Sequence, residues 1–239
     1  MRKIVLFAVF VVVLVGCKKE DENDIQVKNP NIEVKAGSSI QIEATSSSPI
    51  TYFTENEFYA SVNSTGLITA NRVGEVSILL DNSEKNARVQ VKILPVFTTY
   101  QDPYLNFGAS KDDVIKSVGS PSRTNDDGDL IYDNYSTAAT LAMYFFNGSK
   151  LESVGVAVKT SYATELGNFI RERYSQYLVD GYDIYYINSL NINTATMIVG
   201  VRINISALMV VYMPTETLSL RSSEVNVKKF TDTFKKIVQ

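Results

Sequence analysis

The sequence predicts a mixed fold: an all-β sandwich followed by an α+β domain of two helix-plus-antiparallel-meander units. Three observations predict it. Residues 25–95 hold short apolar runs with a period of two, cut by Gly, Pro and Asn. From residue 96 onward, stretches with helical periodicity alternate with longer strand-like runs. The chain has 239 residues, long enough for two domains that each bury a core. The expected division is a leader at 1–16, a tether at 17–24, the sandwich at 25–95 and the α+β domain at 96–239.

The first residues read as an address. Arg2 and Lys3 form a positive start, and Ile4 to Val15 is unbroken apolar sequence. That run is shorter than the about 20 residues a bilayer span needs and fits the apolar core of a secretory signal. Leu14-Val15-Gly16-Cys17 then resembles the bacterial lipobox, in which the Cys is acylated and everything before it is removed. The resemblance implies a lipid anchor at Cys17 and membrane attachment through acyl chains, each buried CH₂ contributing about 0.8 kcal/mol. Lys18-Lys19-Glu20-Asp21-Glu22-Asn23-Asp24 has no apolar residue and reads as a disordered tether. It also resembles the Lys-plus-acidic signal that sends some lipoproteins to the outer cell surface. The implied location is the outer membrane, facing the exterior, with the periplasmic face as the alternative.

In the sandwich, the runs are Ile32-Glu33-Val34, Ile40-Gln41-Ile42, Ile50 to Phe53, Gly66 to Ala70, Val76 to Leu80 and Val89 to Leu94. Gly37, Pro49, Gly66, Gly74 and Asn82 punctuate them. Ala60-Ser61-Val62-Asn63-Ser64-Thr65-Gly66-Leu67-Ile68-Thr69-Ala70, followed by Gly74-Glu75-Val76-Ser77-Ile78, resembles the bacterial immunoglobulin-like group 2 family. Val62 and Ile68 are expected to point inward, Gly66 to supply a turn conformation that a Cβ disfavours, and Gly74 to start the next strand. That family usually carries a Trp before this motif; here Tyr52 or Phe53 stands in that zone. The resemblance implies a spacer or adhesive module.

In the second domain, Ser110 is expected to cap a helix with Asp113 three residues on, and Val114, Ile115 and Val118 to share a face. Gly119 and Pro121 stop it. Strands are expected at Leu130 to Tyr135, Thr140 to Phe146 and Leu151 to Val158, with Asn147-Gly148 as a hairpin signal. A second helix is expected over Thr164 to Leu178, with Leu166, Phe169, Ile170, Tyr174 and Tyr177 on one face. Strands follow at Tyr182 to Ile187, Ala195 to Ile203 and Ala207 to Met213. This recurrence suggests an internal duplication. An amphipathic C-terminal helix, Glu224 to Val238, is expected to pack on the sheet through Val227, Phe230, Phe234 and Ile237. Gly108-x-Ser110, Val114 and Gly119-x-Pro121 before a meander resemble the small outer-membrane lipoproteins of the SmpA/OmlA type. The paired units resemble the architecture of the β-lactamase inhibitor protein. Those relatives work through protein contacts.

The composition excludes much chemistry. There is no His, so no Ser-His-Asp triad or imidazole ligand, and one Cys, so no intrachain disulfide or thiolate zinc site. Lys+Arg number 23 against 26 Asp+Glu, which argues against nucleic acid as a partner. No phosphate loop or dinucleotide fingerprint is present, so no cofactor is implied. Asn125-Asp126-Asp127-Gly128-Asp129 lacks the alternating ligands of a calcium loop and reads as a solvated turn. Asp133, Glu152, Glu165 and Asp183 are candidate acids for a carboxylate-dependent hydrolase, but nothing fixes two of them in one cleft. Arg171-Glu172-Arg173 reads as a solvated helix face. Tyr100, Tyr104 and Tyr185 are candidate contact residues because tyrosine is rigid and amphipathic; ordinary core or sheet packing is the favoured explanation of such tyrosines. The expectation is a non-catalytic envelope lipoprotein that binds a protein or a glycan. The alternatives are an inhibitor or assembly factor for another envelope protein, and a hydrolase.

Overall fold

The computed structural model describes residues 24–203 and 206–215. The leader, Cys17, the tether up to residue 23 and the expected C-terminal helix lie outside the described residues. The described chain is mostly β-sheet with two short α-helices. None of its helices is long and apolar enough to cross a membrane.

The N-terminal sandwich is built by alternation. In β2 (Asn31–Lys35), Ile32 and Val34 are buried while their neighbours are exposed. In β9 (Asn86–Leu94), Val89, Val91 and Ile93 turn inward. Outward Arg88 and Lys92 reach Glu55 at 2.7 Å and Glu33 at 3.5 Å. One sheet runs β2, β9, β8 (Gly74–Asp81), β5 (Thr51–Thr54), with β2 parallel to β9 and the other pairs antiparallel. The opposing sheet is β3 (Ser39–Gln41), β7 (Leu67–Ala70), β6 (Ala60–Val62), and β1 (Gln26–Val27) pairs with β4 (Ala44–Thr45). Ile68, Ile78, Leu80 and Ile93 meet between the sheets, each worth about 1.5–3 kcal/mol of burial. Val62 packs at the core's edge. In the zone of the family's Trp, Tyr52 leans on the core while Phe53 is 56% exposed.

The second domain is one eight-stranded antiparallel sheet. The helix α1 (Lys111–Val118) leads into β10 (Arg123–Thr124), β11 (Leu130–Asp133), β12 (Ala139–Asn147) and β13 (Lys150–Val158). The helix α2 (Ala163–Arg171) leads into β14 (Ser175–Asp180), β15 (Asp183–Ile187), β16 (Met197–Ile203) and β17 (Leu208–Pro214). The spatial order is β10-β11-β12-β13-β17-β16-β15-β14. The last strands of the two halves therefore pair at the centre, Val156 opposite Val210.

Local signals explain the boundaries. Ser110 Oγ accepts the Asp113 N–H at 3.2 Å and the Asp113 carboxylate accepts the Ser110 N–H at 3.1 Å, a closed capping box. The Ser110 hydroxyl also donates to the Asp113 carboxylate at 2.6 Å, and this bond, with that from the Ser110 N–H, holds the carboxyl below its usual range. The β12–β13 hairpin pairs Asn147 with Lys150, so its loop is Gly148-Ser149, with Gly148 at φ 63°.

Three expectations need correction. The second helix ends at Arg171 instead of Leu178, because Tyr177 and Val179 favour a strand and their segment pairs with β15. Each half carries four strands, the short β10 and β14 being the additions. The strand expected from Tyr182 begins at Asp183, and Tyr182 lies in the turn before it, 82% exposed.

Gly37 and Gly66 have nearly the same conformation, φ 79° and 80°, yet different surroundings. A Cβ at Gly37 meets open space, whereas one at Gly66 falls 2.8 Å from Tyr52 Cζ. Gly37→Ala should cost about 1–2 kcal/mol for left-handed backbone alone. Gly66→Ala should cost measurably more in urea unfolding, and equal losses would show that Tyr52 does not hold its ring against this turn.

Candidate functional site

The chain between the domains is held by two adjacent side chains at the end of α2. Glu172 accepts the Val96 N–H at 3.0 Å and the Phe97 N–H at 3.1 Å. Its backbone carbonyl accepts the Val73 N–H of the sandwich at 2.8 Å. Arg173 donates to Glu172 Oε1 at 2.6 Å, to Asp102 at 2.8 and 3.3 Å, and to the Phe169 carbonyl at 3.2 Å. Its guanidinium also stacks 3.7 Å from the Phe169 ring centroid. Burial opposes its charge, but the bonds and charges of Asp102 and Glu172 outweigh that and raise its pKa. Glu172 and Arg173 are buried while Arg171 is exposed, so the expected solvated face holds for Arg171 and is corrected for the other two. The apolar stripe Leu166, Phe169, Ile170 returns to the same side at position 173, which carries Arg173 inward.

Beside this joint opens a cleft of about 650 Å³. Its walls are the linker from Gln101 to Leu105, the C-terminal end of α1 with Ser117 and Ser120, and the end of β11 from Tyr132 to Tyr135. Tyr132 donates to the Gly119 carbonyl at 2.9 Å and Tyr135 to the Gln101 carbonyl at 3.1 Å, which fixes both rings. Two carboxylates face the cleft, and each is held by an arginine fork. Asp133 takes Arg123 at 2.9 and 3.1 Å, and Asp102 takes Arg173. By contrast, the side chains of Gln101, Asn134, Ser117 and Ser120 make no hydrogen bond among the described residues. Asn134 stands at φ 55°, one of two non-glycine residues with positive φ among those described.

The expected contact residues divide. Tyr104 lines the cleft, half-buried, with its N–H donating to the Tyr144 hydroxyl at 3.2 Å. Tyr100 is buried, its hydroxyl 2.7 Å from that of Tyr212 and its ring 4.5 Å from Phe169. Tyr185 is buried on the sheet's other side, with its hydroxyl turned to Asp183. Sheet packing claims both rings, so they present no surface to a partner. Cys17 lies outside the described residues.

The candidate acids do not gather. Asp183 is paired with Arg202, Glu165 accepts from Thr99 at 3.3 Å in the first turn of α2, and Asp133 is the one of the four that lines the cleft. Among the described residues no three His, Cys, Asp or Glu side chains form a metal-holding group. In the 125–129 turn, Asp129 is buried and accepts the Phe146 N–H at 2.9 Å, so that loop is pinned to β12 instead of being wholly solvated. The joint and the cleft's polar set escaped the sequence reading; the one available signal was the position of Arg173 on the apolar stripe.

No family model matches the chain, and no curated protein matches it. Solved structures overlay on it weakly. An intimin mutant from EHEC O157:H7 matches at 13% identity and TM-score 0.28, covering 44% of this chain and 62% of that one. The S-layer protein rSbsC(31-844) matches at 13% and 0.27, covering 58% of this chain and 22% of that one. Human protocadherin-24 EC1-2 matches at 10% and 0.27, covering 79% and 94%. The chain thus spans less than two thirds of the intimin and S-layer chains. Likeness of this size does not assign a function.

Two outcomes follow from this geometry. Arg173→Met leaves the Glu172 carboxylate buried without a counter-ion, at an expected cost of about 3–5 kcal/mol. Calorimetry should then resolve two transitions in place of one as the domains uncouple; an unchanged single transition would refute the joint. Base should also unfold the protein. Burial pushes the Tyr132 hydroxyl to about 12, and raises Tyr100 and Tyr212 well above their ordinary value. A folded pKa above the unfolded value of about 10 leaves stability intact below that pH and erodes it as pH climbs through 12. Tyrosinate absorbance and loss of sheet circular dichroism should therefore rise together above pH about 10.

Proposed function

We propose that the protein is a non-catalytic binding module of the cell envelope, anchored by lipid at Cys17 and displayed on the outer surface. On this reading the sandwich is a spacer, and the second domain, a duplicated helix-plus-meander unit, carries the recognition site. The lipobox-like Leu14 to Cys17 and the charged tether support the address.

One observation carries the site: the cleft is charge-balanced yet rich in unused polar groups. Both carboxylates are already bound by arginine. The open valences are two amides and two hydroxyls beside tyrosine rings. That chemistry suits a neutral ligand that offers hydroxyl or amide groups and a flat apolar patch, as a neutral glycan or an extended peptide does. It does not suit a highly charged ligand, which would have to displace an arginine fork. It also speaks against hydrolysis, since both acids are engaged.

A second reading, an inhibitor or assembly factor for another envelope protein, is favoured by the continuous sheet formed by the two halves. It resembles the paired units of the β-lactamase inhibitor protein. A single stable partner in crosslinked pulldowns would favour it over glycan capture.

Cys17→Ser should abolish palmitate labelling; labelling that persists would refute the anchor. With arrayed neutral glycans and peptides as probes, Gln101→Ala and Tyr104→Ala should each weaken capture about tenfold, equivalent to about 1.4 kcal/mol. Capture unaffected by both would place the site elsewhere.

A further inference from the structure

The eight-stranded sheet has two apolar faces, and the described chain accounts for the cover of one. Val114 of α1 and Leu166, Phe169 and Ile170 of α2 all pack on the first face. The second face carries its own buried cluster, spread from Ile131 on β11 to Ile187 on β15. Among the described residues, that cluster consists of the strands themselves and the short segments beside them, Ala195, Ala207 and Ile192. No side chain of α1 or α2 belongs to it. A sheet face cannot bury itself, because its side chains stand side by side.

The middle of this face is a trough. Strand register sets Met143, Gly155, Val211, Gly200 and Tyr185 in one row across five strands. Gly155 and Gly200 flank Val211, have no side chain to shelter them, and are buried nonetheless. A buried glycine inside a strand marks a place where another group comes close to the backbone.

We infer that the chain's own C-terminal segment, residues 216–239, covers this face, seating Phe230 and Phe234 over the trough. The described chain ends at Thr215, directly after the central strand β17, with its hydroxyl donating to the Ala195 carbonyl at 2.8 Å. Residues 216–223 span at most about 27 Å when extended, enough to return along a seven-residue strand of about 23 Å. Residues 224–238 as a helix would be about 22 Å long, against about 19 Å for a row of five strands. Val227, Phe230, Phe234 and Ile237 recur at helical spacing, with lysines between them. The aromatic rings supply the bulk that the glycines leave open.

The test is photocrosslinking in the full chain with benzoylphenylalanine in place of Phe234. The expected adducts are intrachain, on peptides of β12, β13, β17 or β16. Adducts between chains, to added vesicle lipid, or to α1 or α2 would overturn the inference, as would the absence of adducts. As a second measurement, Phe234→Asp in the full chain should raise binding of an apolar dye several-fold and lower the urea midpoint. Removing residues 216–239 should do the same, and the synthetic peptide 216–239 should reverse it. Unchanged dye binding and midpoint in both variants would refute the seat.

Discussion

The interdomain joint depends on one ion cluster, the buried pair Glu172 and Arg173 with the exposed Asp102. Glu172 holds two linker N–H groups through its carboxylate and one N–H of the sandwich through its backbone carbonyl. Arg173 ties the end of α2 to Asp102, on the linker that forms one wall of the cleft. Burying these charges costs solvation, which the paired geometry and the extra backbone bonds offset. What the arrangement supplies is a set of directional bonds at the joint, beside Phe58, Tyr59 and Val73 of the sandwich and Tyr174 and Met197 of the second domain. The cleft inherits that anchoring, since Asp102, within the Gln101 to Leu105 wall, is itself held by Arg173.

The second domain meets a shortage of chemistry with tyrosine. Without His or Trp, its large polar-tipped residues are tyrosines, and the core uses them as hydrogen-bonding pillars. Tyr100 and Tyr212 share a bond deep in the first core, Tyr174 stacks edge-on to Tyr212 at 6.1 Å, and Tyr144 reaches the linker backbone. Each ring contributes apolar area while its hydroxyl satisfies a partner that would be costly to leave unpaired. The same residue type therefore serves both the interior and the cleft wall, where Tyr104 stands half-exposed.

This explains which parts were legible in the sequence. Strand alternation at Val89-Val91-Ile93 and the Ser110–Asp113 box are local signals, and both formed as read. The end of α2 was not legible, because Tyr177 fits a helical stripe as well as a strand and only pairing with β15 decides. Tyr100 and Tyr104 are four residues apart in similar company, yet one is core and the other lines the cleft. Composition cannot separate them, since the difference lies in where Tyr212 and Tyr144 arrive from more distant strands. The Arg173–Asp102 bond spans 71 residues and exists only once the end of α2 meets the linker.

The two faces of the sheet extend the same reasoning from stability to function. A sheet that is apolar on both sides has to be covered on both, or it becomes a site of association. The first face is closed by α1 and α2, and the C-terminal end of α1 also forms part of the cleft wall. The second cannot simply lie open to water, because Gly155, Val211 and Gly200 would then offer an apolar trough to neighbouring copies. On the cover proposed above, the cleft is the concave surface left to a ligand, with Gln101, Asn134, Ser117 and Ser120 on its walls. On the proposed reading, recognition is then confined to one side of the domain by the packing of the other.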